Sequence, residues 1–279
     1  MTNTVNKKSL NSFKLYIFDM DGVIFKGTEI IPKVKSTIEQ LYATNKKVVF
    51  FTNNSTLTPE DYIEKLGSMG IKSSYNQILT SSLISAKSIK EIYKEPASAY
   101  CVGENGLSEA LKSCDISILN EKYSDDEIIK NPEIKSSFVI AGLDRQLTYK
   151  KISAASLIIS RGSDFYATNG DTSLPSNYGF MPGAGAIVST IATATGKQPA
   201  KIFGKPSPTG IKQILKQFDV SKENAIMVGD RPETDILCGI RAEINTALVL
   251  TGVINKDNVS SIQEDHKPAY IIEDLSKLL

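Results

Sequence analysis

The stretch LYIFDMDGVIFKG, residues 15–27, places two aspartates one residue apart directly after a short apolar run. Residues 15–18 are continuously apolar, which is typical of a strand covered on both faces of a sheet. Residues two apart in an extended chain point to the same side, so Asp19 and Asp21 are predicted to project together, before Gly22 allows a sharp turn. Two carboxylates that close repel each other unless a cation or a shared proton relieves them. The stretch therefore predicts a buried strand that ends in a functional site.

The composition is that of a globular chain with a hydrophobic core. The 279 residues suggest about two domains, and 41% of them are apolar. The 32 basic and 31 acidic residues nearly cancel, so charge gives no reason to expect nucleic acid or a membrane as a partner. The polar N-terminal segment lacks the apolar part of a signal peptide, and no apolar run approaches the ~20 residues that span a bilayer. We therefore expect a cytoplasmic protein.

The cysteine and histidine content argues against several kinds of site. Cys101, Cys114 and Cys238 are widely spaced and form no CxxC motif, which favours free thiols over a disulfide framework or a zinc site. His266 is the only histidine, and it lies in a polar segment near the C-terminus. A Ser-His-Asp triad, a phosphohistidine or a multi-histidine metal centre would depend on that single residue. Carboxylate chemistry is therefore favoured.

Short apolar runs alternate along the chain with segments of helical spacing. Two helical segments show apolar residues three and four apart: Val34, Ile38 and Leu41, and then Ile211, Ile214, Leu215 and Phe218. This alternation predicts an α/β fold with parallel sheets built from βαβ units. With hinges at Ser81–Ser82 and Pro182–Gly183, we expect a core formed by residues 1–81 and 184–279 and an inserted α/β domain of residues 82–183.

Four polar clusters share one position, since each closes an apolar run. They are Asp19-x-Asp21-Gly22, Thr52-Asn53-Asn54-Ser55, Gly204-Lys205-Pro206, and Gly229-Asp230 with Asp235 five residues further on. In open α/β sheets, ligands bind outside the carboxyl ends of the strands. If the strands are neighbours, the four clusters converge on one site.

The residue types in these clusters suit phosphoryl transfer. Asp19 supplies a carboxylate nucleophile, and Asp19 with Asp230 offers hard oxygen ligands for Mg²⁺. Asp21 can protonate the leaving oxygen and later activate water. The phosphate oxygens would be bound by three residues: Thr52, Asn53 and Lys205.

Taken singly, each cluster also has a structural explanation. Aspartate and glycine at a strand end usually form a turn. The cluster at residues 52–55 could cap the following helix, although Thr58 fits that position equally well. The lysine in GKP could be solvated in a loop, and the acidic residues of GDRPETD could complement a helix dipole. Only the ordered combination predicts catalysis.

These clusters, in this order, resemble the haloacid dehalogenase (HAD) superfamily, and most closely its NagD-like branch, which contains 4-nitrophenylphosphatase, phosphoglycolate phosphatase and pyridoxal phosphatase. The matching segments are FDMDGV, FTNNS, AGLDRQLTYKKI, ATNGDTSLP, PGAGAI, GKPSP and GDRPETDI. The resemblance covers nearly the whole chain after residue 13. It implies a Rossmann-like parallel-sheet core with an inserted α/β cap of the C2 type.

The resemblance also implies an activity, a cofactor and roles for particular residues. It implies an Mg²⁺-dependent phosphatase that hydrolyses small phosphomonoesters through an aspartyl-phosphate on Asp19, with Asp21 as general acid and base. Mg²⁺ would bind Asp19, the backbone carbonyl of Asp21, and Asp230, with Asp235 supporting these ligands. Thr52, Asn53 and Lys205 would hold the phosphate. Members of the branch are commonly cytosolic and often dimerise through the cap, so we expect a homodimer that acts on a phosphorylated metabolite.

The cap offers six candidate contacts for the leaving group: Leu143, Asp144, Arg145, Asn169, Asp171 and Leu174. They lie near predicted strand ends, where loops often carry specificity. Asp144 and Arg145 could equally form a local ion pair. Sugar phosphates, phosphoglycolate, nucleotides and pyridoxal phosphate share the group that the core would recognise, so the sequence does not choose among them, and 4-nitrophenyl phosphate is a further expected substrate.

Three alternative functions share this fold. A dehalogenase is disfavoured because a halide leaving group needs no proton donor at Asp21. A phosphomutase would have to return the phosphoryl group to a second hydroxyl. An inactive binding module is disfavoured because the nucleophile, the proton donor, the metal ligand and the lysine are all present.

Overall fold

The computed structural model describes residues 8–176 and 178–279. The strands, in chain order, are β1 Leu15–Phe18, β2 Phe25–Lys26, β3 Glu29–Ile30, β4 Lys47–Thr52, β5 Ile78–Thr80, β6 Ser98–Val102, β7 Ser117–Ile118, β8 Phe138–Ala141, β9 Asp164–Ala167, β10 Ser173–Ser176, β11 Gly179–Pro182, β12 Lys201–Ile202, β13 Ala225–Gly229, β14 Asn245–Val249 and β15 Tyr270–Ile272. The α-helices are α1 Val34–Ala43, α2 Pro59–Ser68, α3 Ser81–Ile92, α4 Asn105–Lys112, α5 Leu119–Lys122, α6 Asp125–Lys130, α7 Tyr149–Ser160, α8 Ala184–Thr195, α9 Thr209–Phe218 and α10 Leu237–Arg241.

The chain divides into two compact units. The first comprises residues 8–52, 62–79 and 205–279, and the second comprises Asn53–Asp61 and Thr80–Gly204. The first unit is built on a six-stranded sheet in the order β15-β14-β13-β1-β4-β5. β1 pairs in parallel with β13 on one side and with β4 on the other. The next strands of the sheet, β4 and β5, lie on one side of β1, and the later strands, β13 to β15, lie on the other. The strand order therefore reverses at β1, which makes its carboxyl end a topological switch point.

The strands at the centre of this sheet are apolar because both of their faces are covered. Every residue of β1 is buried, and so is every residue of β13. Helix α1 buries Val34, Ile38 and Leu41, as their helical spacing predicts. In α9, Ile211 and Ile214 are buried.

The second unit has its own five-stranded sheet in the order β12-β9-β8-β6-β7. Its neighbouring strands pair in parallel. Residues of α7 and α8 pack together into a core that also takes in β6, β8 and β9. An antiparallel hairpin, β10–β11, precedes α8. Both units therefore have the α/β architecture that the sequence predicts.

The second unit extends further along the chain than the expected boundary at Pro182–Gly183. Ile187, Val188 and Ile191 of α8 lie in the hydrophobic core of the second unit, and β12 pairs with β9 in its sheet. The domain assignment therefore differs from the prediction over residues 184–204, and also over residues 53–61, which belong to the second unit. At the first boundary the division falls at Thr80, whose side chain caps α3.

Helix ends follow the residues that the sequence offers for them. α8 ends at Gly196, which has a positive φ of 66°, as expected of a glycine that terminates a helix. Thr58 caps α2, since its Oγ1 accepts the N–H of Asp61 at 3.2 Å. Throughout the part of the chain that the structure describes, every helix is too short or too polar to cross a lipid bilayer.

Candidate active site

Two of the predicted catalytic carboxylates follow neighbouring strands of the first unit. Asp19 is the residue after β1, and Asp230 is the residue after β13. The ladder between the two strands continues to this point, because the Asp19 N–H donates to the Val228 carbonyl at 2.9 Å. Parallel pairing therefore brings the two carboxylates to one edge of the sheet.

A third carboxylate, Asp235, completes a buried acidic triad. One oxygen of each of Asp19, Asp230 and Asp235 lies within 4.8 Å of the others. A π-helical turn at Pro232–Ile236 returns Asp235 toward the end of β13. Its Oδ2 accepts the N–H groups of Asp230 at 3.2 Å and of Arg231 at 3.1 Å. Asp235 thus fixes the loop that carries Asp230.

Lys205 supplies the positive charge of this site. Its buried ammonium lies 2.5 Å from Asp19 Oδ1 and 2.7 Å from Asp235 Oδ1, and it donates to the Phe51 carbonyl at 3.2 Å. The strand before it, β12, pairs in the second unit, so Lys205 does not follow a strand of the same sheet as Asp19. The premise that all four clusters close strands of one sheet is wrong here, although Lys205 meets the carboxylates.

Two glycines allow the backbone to approach Asp230 closely. Gly22 has a positive φ of 83°, and a Cβ there would lie 2.4 Å from Asp230 Oδ2. A Cβ on Gly252 would lie 1.9 Å from the same oxygen. The N–H of Val253 donates to Asp230 Oδ2 at 2.7 Å. One oxygen of Asp230 is therefore held by backbone, which leaves the other oxygen available as a ligand.

Burial and charge crowding dominate the electrostatics. Burial, together with the carboxylates of Asp235 and Asp230, raises the pKa of Asp19 well above its usual value, against the opposing charge of Lys205. Burial and Asp235 raise the pKa of Asp230 to about 6. Burial alone would lower the pKa of Lys205, but the Asp19 and Asp235 carboxylates raise it, so the ammonium stays protonated.

The donor set of the triad fits a hard divalent cation. Within residues 8–176 and 178–279, the buried Oδ1 of Asp230 has no hydrogen-bond partner. Three carboxylates facing one ammonium leave two negative charges uncompensated. Carboxylate oxygens are the ligands that Mg²⁺ prefers, and a divalent ion would relieve both the charge and the unpaired oxygen. Among the same residues, Asp235 Oδ1 also lacks a hydrogen bond but pairs with the Lys205 ammonium at 2.7 Å, and its Oδ2 accepts two N–H groups, so Asp19 and Asp230 are the better placed ligands.

Asp21 lies at the exposed side of the site. It forms a bridge with Phe25, at the start of the hairpin β2–β3, and the N–H of Gly22 donates to the Phe25 carbonyl at 2.8 Å. Partial burial raises the pKa of the Asp21 carboxyl, while the positive charges of Lys65 and Arg231 oppose this increase. A carboxyl with a raised pKa is suited to donating a proton.

Sequence reasoning missed two residues of α2 that face this site. Tyr62 and Lys65 are three residues apart and so share one face of the helix. The buried hydroxyl of Tyr62 is hydrogen-bonded to the side chain of Thr52, and burial, then Asp21, raises the Tyr62 pKa. Against the larger effect of burial, the positive charge of Lys65 lowers the pKa of Asp21, and its ammonium lies over the Phe25 ring. The spacing of these residues could have indicated the face, but not what it contacts.

In the second unit, three predicted residues lie together. Asn53 Nδ2 donates to both carboxylate oxygens of Asp171, at 3.1 and 3.2 Å. Asn169 Nδ2 donates to the Asn53 carbonyl at 2.8 Å, and the Ser81 hydroxyl donates to the same carbonyl at 2.6 Å. This network fixes the segment after residue 52.

The remaining cap residues are already engaged within the second unit. Asp144 is buried and pairs with Lys151 at 2.6 Å. Arg145 forms a bidentate pair with Glu104, with Nε at 2.8 Å from Oε1 and Nη2 at 2.5 Å from Oε2. The suggested Asp144–Arg145 pair is therefore wrong. Leu143 packs against the core of the unit, and Leu174 lies opposite Met181 in the hairpin β10–β11.

Comparison with known proteins identifies the family. A model described as haloacid dehalogenase-like hydrolase matches residues 16–117, and a HAD-hydrolase-like model matches residues 202–278. An acid sugar phosphatase from Staphylococcus saprophyticus is 36% identical over 97% of this chain and 98% of its own length. The chain belongs to the haloacid dehalogenase-like hydrolases. The NagD-like resemblance of the sequence is thereby confirmed.

Solved structures support the same fold. A 4-nitrophenylphosphatase from Thermotoga maritima is 32% identical, covers 98% of each chain and superposes with a TM-score of 0.88. A glycerol phosphate phosphatase from Mycobacterium tuberculosis, solved in complex with magnesium, is 25% identical over 98% of this chain and 78% of that chain, with a TM-score of 0.86. The predicted HAD fold, a Rossmann-like core with an inserted α/β domain, is confirmed.

Proposed function

We propose that the chain is an Mg²⁺-dependent phosphatase that hydrolyses small phosphomonoesters through an aspartyl-phosphate on Asp19. The observation that carries this proposal is the buried triad of Asp19, Asp230 and Asp235, in which the Lys205 ammonium pairs with Asp19 and Asp235 and one oxygen of Asp230 has no hydrogen-bond partner among the described residues. The enzyme class itself, a HAD-type phosphoric monoester hydrolase, follows from the 36% identical relative that covers nearly the whole chain.

Asp19 is the proposed nucleophile. Mg²⁺ held by Asp19 and Asp230 would offset the negative charge of the phosphoryl oxygens and of the crowded carboxylates. Lys205 holds one Asp19 oxygen at 2.5 Å, which orients the carboxylate for attack on phosphorus. Attack forms a bond between an Asp19 oxygen and phosphorus while the bond to the alcohol oxygen breaks.

Asp21 is the proposed general acid and base. It gives its proton to the departing alcohol oxygen, which prevents formation of a free alkoxide. The resulting carboxylate then takes a proton from water as that water attacks the aspartyl-phosphate. The backbone carbonyl of Asp21 would be a further ligand of Mg²⁺. The partly exposed position of Asp21 beside a buried triad supports this division of roles.

Three further residues complete the proposed machinery. Asp235 positions Asp230 and Lys205, which its two oxygens already contact. Thr52 and Asn53 are proposed to donate to the phosphate oxygens. A hydrogen bond between the side chains of Tyr62 and Thr52 supports a fixed position for Thr52, and the bonds that hold the Asn53 carbonyl support a fixed position for Asn53.

The proposed substrate is a small phosphorylated metabolite, such as a sugar phosphate, phosphoglycolate or a nucleotide, with 4-nitrophenyl phosphate as a synthetic substrate. The named activities of the relatives support this range. The proposed specificity residues of the second unit are Leu143, Asn169, Asp171 and Leu174, whereas the charges of Asp144 and Arg145 are matched within the unit by Lys151 and Glu104. We further propose cytoplasmic location, which three buried free thiols support.

A homodimer formed through the second unit is also proposed. Phe180 and Met181 on β11 are exposed, at 82% and 54%, and exposed apolar side chains favour association. Light scattering of the purified protein tests this directly. A monomeric mass at micromolar concentration would reject the dimer without touching the proposed chemistry.

Phosphate release from 4-nitrophenyl phosphate, measured with Mg²⁺ and with EDTA, tests the function. A panel of natural phosphomonoesters measured in parallel would rank the substrates. We expect turnover with Mg²⁺ and its loss in EDTA, restored by added Mg²⁺. Absence of release from every ester by folded, Mg²⁺-loaded protein would reject the phosphatase and favour a mutase or a binding role.

A further inference from the structure

Two cationic side chains flank Asp21 in the first unit, and the proposed mechanism uses neither of them. The Lys65 ammonium lies 3.7 Å from the centroid of the Phe25 ring. Phe25 is tied to the Asp21 segment, because its carbonyl accepts the Gly22 N–H. Arg231 directly follows Asp230, and its backbone N–H donates to Asp235. Gly22, next to Asp21, approaches Asp230 so closely that a Cβ there would lie 2.4 Å from Asp230 Oδ2, which brings the following residue, Arg231, near Asp21. Against the larger effect of burial, the charges of both cations lower the pKa of Asp21.

Across residues 8–176 and 178–279, no side-chain hydrogen bond or salt bridge is formed by Lys65 or by Arg231. Both side chains are half-buried. Partial burial of a charge costs free energy that a hydrogen-bonded anion normally offsets. The Phe25 ring stabilises the Lys65 charge without using its N–H donors, so those donors remain for another acceptor.

We propose that Lys65 and Arg231 bind a second anionic group, a carboxylate or a phosphate, on the alcohol part of the substrate. The inference rests on the proposed function, since Asp21 marks the position of the leaving oxygen. A general acid lies within hydrogen-bond reach of the oxygen that it protonates. Cations beside Asp21 therefore lie beside the alcohol part of the ester, whereas the reacting phosphoryl group is bound at the buried triad.

The chemistry of the two side chains suits this assignment. Arg231 offers a planar fork that binds carboxylate or phosphate oxygens in pairs, and Lys65 offers a compact charge. The substrate class is then a phosphomonoester of a hydroxy acid or of a second phosphate ester, rather than of a neutral alcohol. If the two cations acted only on Asp21, esters of charged and neutral alcohols would be affected equally.

The test is a ratio of kcat/KM values for matched esters. One pair is 2-phosphoglycolate against 2-hydroxyethyl phosphate, which differ in the carboxylate. The other is a sugar bisphosphate against the corresponding monophosphate. The ratios are measured for the wild type, Lys65→Met and Arg231→Met. The control is Lys216→Met, which removes the same charge from an exposed position on α9. Lys65→Arg retains the charge and should preserve the preference.

We expect the wild type to prefer the anionic ester of at least one pair, and the pair that shows this distinguishes carboxylate from phosphate. Each single substitution should lower that ratio about tenfold, as expected for one lost charge-assisted hydrogen bond, while Lys216→Met retains it. Hydrolysis of the neutral esters with no preference, or with equal ratios in all variants, would overturn this inference and leave the proposed function intact. Failure to hydrolyse any ester would overturn both.

Discussion

The predicted site residues of the two units differ in whether their charged groups have partners of opposite charge. In the first unit, Asp19 and Asp230 are buried beside one ammonium, with negative charge in excess and a carboxylate oxygen unpaired. In the second unit, Asp144 and Arg145 are matched by Lys151 and Glu104. Unsatisfied buried charge points to a ligand, whereas matched charge points to structure. We therefore expect substitutions at the buried carboxylates of the first unit to change activity, and substitutions at the ion pairs of the second unit to change stability.

The largest effect should come from Asp19→Asn. Removing the nucleophile should lower kcat for 4-nitrophenyl phosphate by at least about 10³-fold, because the remaining groups only bind and polarise the ester. The melting temperature should change little, because the substitution also relieves carboxylate repulsion.

Asp257→Asn, an exposed aspartate of the same unit, is the matched control and should retain activity. If Asp19→Asn retained most of its turnover, the assignment of catalysis to the carboxylates of the first unit would be wrong.

The second prediction concerns the close approach at Gly252. Gly252→Ala places a Cβ 1.9 Å from Asp230 Oδ2, so the carboxylate must move. We expect the Mg²⁺ concentration for half-maximal activity to rise at least about tenfold, a loss comparable to that of a displaced metal-orienting group. Gly67→Ala, where a Cβ meets nothing within 4 Å, is the control. An unchanged Mg²⁺ requirement in Gly252→Ala would indicate that Asp230 is not a ligand.

On the side of the second unit, Lys151→Met leaves the buried Asp144 carboxylate without its counter-charge. Asp144 is 2% exposed and Lys151 is 21% exposed, so we expect a loss of about 2–4 kcal/mol in the free energy of unfolding. Urea denaturation measures it. Lys150→Met removes the neighbouring lysine, whose partner Asp126 is exposed, and should leave stability unchanged. Equal midpoints for the two variants would contradict a structural role for the Asp144 pair.

The smallest effect is expected for Glu104→Gln. Hydrogen bonds from Arg145 hold the pKa of Glu104 below its usual value. The pair therefore contributes stability above the unfolded-state pKa of about 4.3, and the contribution is lost as the pH falls through the lower folded-state value. Because Arg145 is 69% exposed, the loss at pH 7 should be only about 0.5 kcal/mol.

Thermal melts of the wild type and Glu104→Gln should therefore differ slightly at pH 7 and converge once the pH has fallen below the lowered folded-state pKa of Glu104. If the difference in melting temperature grew as the pH fell, the Glu104–Arg145 pair would not stabilise the fold through the ionised carboxylate, which would contradict the prediction.

The parts predicted best from the sequence depend on local pattern. The apolar run before Asp19 and the periodicity of α1 and α9 led directly to a buried strand and two helices. The boundary after residue 182 was misplaced because the apolar face of α8 looks the same whichever unit it covers. The short run before Lys205 gives no sign of the sheet it joins.

Contacts between residues distant in the chain could not be predicted either, because a local sequence pattern does not show which distant segment it packs against. Tyr62 and Lys65 lie on a helix whose sequence reads as an ordinary amphipathic segment. Their roles depend on Thr52, Asp21 and Phe25, which only the folded chain brings near. In the second unit, the pairing of Arg145 with Glu104 spans 41 positions, and proximity in sequence suggested Asp144 instead.

The most direct test of covalent catalysis at Asp19 uses the Asp21→Asn variant, in which hydrolysis of the aspartyl-phosphate should be slowed so that the intermediate accumulates. The protein is mixed with 4-nitrophenyl phosphate and Mg²⁺, quenched in acid, and digested for mass spectrometry. We predict a phosphoryl group on the peptide that carries Asp19, absent when EDTA replaces Mg²⁺. A phosphoryl group on another residue, or undiminished turnover with Asp19 unmodified, would contradict the account.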